Sequence, residues 1–77
     1  MALITDAAET WSAPIVLSAN EIWQVRQGSV YITTSTSPAA DDGLQLHEMH
    51  GVQFSVGQVV RYRKADIAEA LIVRETV

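Results

Sequence analysis

Glycines at positions 28, 43, 51 and 57 divide the centre of this chain into short runs in which apolar and polar residues alternate. The runs are Ile22-Trp23-Gln24-Val25, Val30-Tyr31-Ile32-Thr33-Thr34, Leu44-Gln45-Leu46-His47 and Val52-Gln53-Phe54-Ser55-Val56. A period of two sends successive side chains to opposite faces of a strand, and β-branched and aromatic residues suit a half-buried pleated surface. The pattern therefore predicts an all-β fold: a small antiparallel β-sandwich or barrel of about six to eight short strands, with an N-terminal arm.

Residues 1–12 have no clear period, and only Leu3, Ile4 and Trp11 are able to anchor them. They read as the arm, and residues 13–77 as a single β domain. The first strand is expected from Ala13 to Leu17, with Pro14 at a strand start or an edge because it lacks a donor. Gly28-Ser29 has the form of a two-residue hairpin loop, so Ile22 to Gln27 is expected to fold back on Val30 to Thr36. Residues 37–43 make an exposed loop. A second hairpin across His50-Gly51 would join Leu44 to Met49 with Val52 to Val56, turning Leu44, Leu46, Val52, Phe54 and Val56 inward. Gly57-Gln58 then leads into Val59 to Lys64, a strand with one wet face. Asp66-Ile67-Ala68-Glu69 has the form of a helix capping box. The β-branched run that follows favours a buried strand after a turn at Ala65-Asp66.

Seventy-seven residues make one domain, and a chain this short buries only about 60 to 65% of the surface its unfolded form exposes. Without cysteine it has no disulfide to compensate, and self-association is the remaining route. A homo-oligomer is therefore expected. Trp23 is out of phase with Ile22, so one of the two faces away from the core and is well placed for a subunit contact; Trp23, Tyr31, Arg61 and Arg63 are the candidate interface residues. Nine acidic against five basic residues give a net charge of −4, which repels phosphate backbones and argues against nucleic acid as partner. Arg61, Arg63 and Lys64 form a basic edge, whereas Asp6, Glu9 and Glu21 make the N-terminal part acidic, so the two could pair on a neighbouring subunit or on a larger assembly; the other reading is a solvated strand edge protected by its charge. No segment approaches the ~20 apolar residues needed to cross a bilayer, and the N-terminus lacks the basic and apolar regions of a signal peptide. No membrane role is expected.

Candidate chemistry is sparse. His47 and His50 stand three apart, whereas the zinc-protease signature needs two histidines four apart on a helix. On a strand they would point to opposite faces, although a turn at His50-Gly51 could bring them together. Asp41 and Asp42 lack the rest of a calcium loop and suit the turn before Gly43. No serine sits in a nucleophile elbow and no glycine-rich phosphate loop exists. The residues point to a non-enzymatic protein with no metal or cofactor. The alternative is a small-molecule- or sugar-binding β-barrel with His47, His50, Tyr62 and Arg61 at its mouth.

The segments Glu21-Ile22-Trp23-Gln24-Val25-Arg26-Gln27-Gly28-Ser29-Val30, Asp41-Asp42-Gly43-Leu44, Phe54-Ser55-Val56-Gly57 and Ala70-Leu71-Ile72-Val73-Arg74-Glu75 resemble small bacteriophage structural proteins encoded among head genes. The resemblance spans residues 20–76. It implies a capsid decoration (cement) protein, made in the host cytoplasm and carried on the virion, which binds the major capsid protein. Such a protein is typically a homotrimer on the outer face of the shell. The resemblance also implies that the arm, through Leu3, Ile4 and Trp11, reaches a neighbour. A tail or spike location is the other structural reading.

Overall fold

The computed structural model describes residues 2–39 and 42–77; Asp41, one of the two acids weighed for calcium, lies outside them. Eight strands are present among these residues: β1 (Ala2–Ile4), β2 (Ile15–Val16), β3 (Glu21–Gln27), β4 (Val30–Thr33), β5 (Leu44–Leu46), β6 (Gly51–Phe54), β7 (Val59–Lys64) and β8 (Leu71–Thr76). They form two four-stranded antiparallel sheets, in the orders β1-β8-β3-β6 and β2-β7-β4-β5. The final segment is a strand, as its β-branched residues favour.

The pairing follows one rule. Strands pair first with last: Ile4 opposite Ile72, Ile15 opposite Val60, Glu21 opposite Phe54 and Ile32 opposite Leu44. The midpoint of every pair falls on Pro38 or between it and Ser37. The chain is thus one long hairpin bent near Pro38, then rolled up so that β3 also pairs with β8 and β4 with β7. This is the jelly-roll architecture, in which two sheets enclose one core.

Rolling corrects both expected hairpins. Gly28-Ser29 joins β3 to β4, but these strands lie in different sheets, and so do β5 and β6 on either side of His50. A positive-φ glycine serves a hairpin turn or a crossing between sheets equally well, so local sequence does not separate the two. Gly28 has φ +73°, and a Cβ there would stand 2.6 Å from the Glu69 carbonyl oxygen. The Ser29 carbonyl meanwhile accepts from the Ala65 N–H at 2.9 Å, tying the crossing to the β7–β8 connection. β2, β4 and β5 are shorter than expected, and Leu44 and Val56, expected inside, are 54% and 58% exposed. Leu44 sits on an edge strand and Val56 lies beyond the end of β6, so neither is roofed by the opposite sheet.

Residues 2–12, read as an arm, are held along the sandwich. β1 pairs with β8. The Lys64 N–H donates to the Ala8 carbonyl and the Ser12 N–H to the Tyr62 carbonyl, both at 2.8 Å. Trp23 centres the core with no exposed surface, among Leu17, Val25, Val30, Ile32, Phe54, Val60, Tyr62 and Ile72. Its ring meets Phe54 edge-on at 5.7 Å and Tyr62 at 6.1 Å, the offset geometry that aromatic quadrupoles favour.

Candidate protein-binding face

Strand periodicity decides which side chains reach the surface. On β7, Val60 and Tyr62 point into the core, so Arg61 and Arg63 project from the outer face of the β2-β7-β4-β5 sheet. Register then places Tyr31 beside Arg63 and Thr33 beside Arg61. Because residues 8–12 run alongside β7, Trp11 is carried onto the same face. The Arg63 guanidinium carbon lies 4.5 Å from the Tyr31 ring centre and 5.6 Å from that of Trp11. Its Nη1 donates to the Glu9 and Lys64 carbonyls at 3.3 Å, and the Trp11 Nε1 donates to the Ala39 carbonyl at 2.9 Å. The result is a half-buried Trp–Arg–Tyr cluster fixed by backbone acceptors. Beside it the Arg61 Nε is buried with no hydrogen-bond partner among the described residues. A desolvated donor of this kind is costly unless an acceptor reaches it.

Tryptophan, tyrosine and arginine are the residues that dominate binding energy at protein interfaces, above all when their conformations are already fixed. The sequence-derived candidates divide accordingly. Trp11, Tyr31, Arg61 and Arg63 share this face. Leu3 lies on the other sheet, 54% exposed, whereas Ile4 and Trp23 are 7% and 0% exposed and offer nothing to a partner. The outward member of the Ile22/Trp23 pair is Ile22, at 45%. Trp23 takes the core because its neighbours in phase, Glu21 and Val25, also point inward.

Two interior polar contacts escaped the sequence reading. Glu21 is 8% exposed. Its Oε1 accepts from the Trp23 Nε1 at 3.0 Å and the Arg74 Nε at 2.8 Å, and its Oε2 accepts from the Arg74 Nη2 at 3.0 Å. The Arg74 hydrogen bonds hold the Glu21 carboxyl below the usual carboxylate range against the opposing effect of burial. The Arg74 guanidinium also stands 4.9 Å from the Trp23 ring centre. Nearby, the Tyr62 hydroxyl donates to the Asp6 carboxylate at 2.6 Å; burial first, and this carboxylate second, push its pKa up to about 12. The visible signal for the first contact was a Glu in phase with Trp23 and Val25, and an Arg in phase with Ile72 on a second strand. Both groups lock the fold.

His47 and His50 do come together, with ring centres 5.8 Å apart. A turn closed by His50 N–H to the His47 carbonyl at 3.0 Å does this. The His50 Nδ1 accepts from the His47 N–H at 3.2 Å, and no cluster of three metal-ligating side chains forms among the described residues. Tyr62 points into the core while Arg61 points out of the neighbouring face, so the four residues of the barrel-mouth alternative do not share a surface.

Compared with family models, curated proteins and solved structures, the chain has no match.

Proposed function

We propose that this chain is a non-enzymatic virion structural protein of the capsid decoration type, which binds the assembled head shell and stabilises it. The observation that carries the reading is the Trp11–Arg63–Tyr31 cluster on an outer sheet face, an interface-type constellation held in place before any partner arrives. The resemblance over residues 20–76 supplies the identity of the partner, the major capsid protein. A rolled sandwich whose first and last strands pair is suited to the task, since docking requires no folding of the body. A ligand that binds only the assembled lattice stabilises that lattice by mass action.

Co-sedimentation with purified heads tests the reading. The chain is expected to pellet with assembled shells and not with free capsid subunits, and Trp11→Ala is expected to weaken retention about tenfold or more. No retention on shells, or equal binding to unassembled subunits, would overturn it.

A further inference from the structure

The opposite sheet presents a surface of different character. Register aligns Leu3 with Val73, Val73 with Gln24 and Gln24 with Gly51, one row across all four strands of β1-β8-β3-β6. The adjacent row aligns Glu75 with Ile22 and Ile22 with Gln53. Leu3 and Ile22 are exposed large apolar side chains, and Gly51, on the edge strand β6 beside Gln24, lacks a side chain and leaves a shallow depression next to Ile22. That depression is lined by Ile22, Gln24, Arg26, Val73 and Glu75 as well as Gly51. Arg26, at the bulge where β3 leaves its register with β8, donates its Nε to the Gln24 Oε1 at 2.6 Å. An exposed cation thus stands at one end of the face and an exposed anion, Glu75, at the other.

We propose that this face is where a second copy of the chain docks, about a two-fold axis lying across the strands over the row Leu3, Val73, Gln24 and Gly51. Such an axis turns each strand antiparallel over its own counterpart. Leu3 then meets Leu3 of the second copy, and Arg26 of each copy lies over the end that carries Ile22 and Glu75 of the other. The charges are therefore complementary to themselves under this one operation, as a two-fold interface requires. Size agrees. The molecule measures 31 × 26 × 17 Å, so its broadest side has room for an interface of up to about the 800 Å² per partner that stable complexes bury. A two-fold pair departs from the three-fold assembly that the phage resemblance implies. It leaves the Trp11 face free on both outer sides, and it does not depend on what that face binds.

Sedimentation velocity over about 1 to 100 μM tests the proposal, a range in which modest interfaces populate their complexes. The wild type is expected to move from the 8.4 kDa monomer to a species of twice that mass. Ile22→Lys is expected to remain monomeric with an unchanged circular dichroism spectrum, because Ile22 is 45% exposed and lies outside the core cluster. Arg26→Glu and Glu75→Arg should each weaken association about tenfold, and the double exchange should restore it to within about threefold. A wild type that stays monomeric at the top of the range would overturn the proposal. So would a three-fold species, a dimer indifferent to Ile22→Lys, or a double exchange as weak as the single ones. Shell co-sedimentation reads the other sheet, so its failure leaves this dimer standing.

Discussion

Replacing Gly28 by alanine separates a crossing between sheets from a hairpin turn. Gly28 and Gly57 both have positive φ, +73° and +88°, and placing an L-residue there costs ~1 kcal/mol in each case. Beyond that they differ. A Cβ at Gly57 meets nothing within 4 Å, whereas at Gly28 it stands 2.6 Å from the Glu69 carbonyl oxygen and 3.3 Å from the Ala70 Cα. Both are backbone atoms, so relief requires the 65–70 connection to move, which adds about 1 to 3 kcal/mol as in other overpacked sites. Gly28→Ala should therefore lose about 3 kcal/mol and Gly57→Ala ~1 kcal/mol. A domain of this length has a total stability of only about 4 to 12 kcal/mol. At about 4 to 8 °C per kcal/mol, Tm falls by about 12 to 24 °C for the first and about 4 to 8 °C for the second. Thermal and urea unfolding of the two variants measure the contrast. Equal losses would mean that Gly28 occupies an open turn, and the reasoning would be refuted.

The Glu21–Arg74 pair makes stability depend on acid. Because the folded carboxyl is held below its ordinary value of 4.5, its contribution is complete above that pH and fades as pH falls through the depressed folded value. Glu21→Gln should accordingly be less stable than wild type at pH 7, with the gap in urea midpoints closing towards acid; a constant gap would count against the pair. Tyr62 acts at the other end of the scale. Its hydroxyl pKa is raised from 10 to about 12, so its contribution is complete below 10 and is lost as pH rises through 12. Tyr62→Phe, which removes the bond to Asp6, should lose about 1 to 2 kcal/mol near neutral pH, and absorbance titration should show one phenol ionising near 12 only in the wild type.

What the sequence made legible was local. The period-two runs mark strands β3, β4, β6 and β7 because inward residues such as Trp23, Val25, Ile32 and Phe54 alternate with outward ones whatever strand lies alongside. Partner choice is not local. A Gly-Ser pair with the glycine at positive φ closes a hairpin or spans two sheets, and only the pairing of β8 and β6 along the two edges of β3 decides between them. Residues 2–12 lack a period for a related reason: they follow the edges of strands already formed, so β7 and β8 set their backbone partners. The candidate face was half visible. Trp11, Tyr31 and Arg63 stood out by residue type, but their meeting depends on Ala8 and Ser12 bonding to β7. Glu21 and Arg74, 53 positions apart, meet only through the β3–β8 register.

Both outer faces are set by which strands are neighbours, and cross-strand backbone NOEs measure this directly. The rolled hairpin predicts contacts from Val73 to both Leu3 and Gln24, and from Trp23 to both Val52 and Arg74. Contacts that pair Val25 with Ile32, the register of a hairpin closed at Gly28-Ser29, would contradict it.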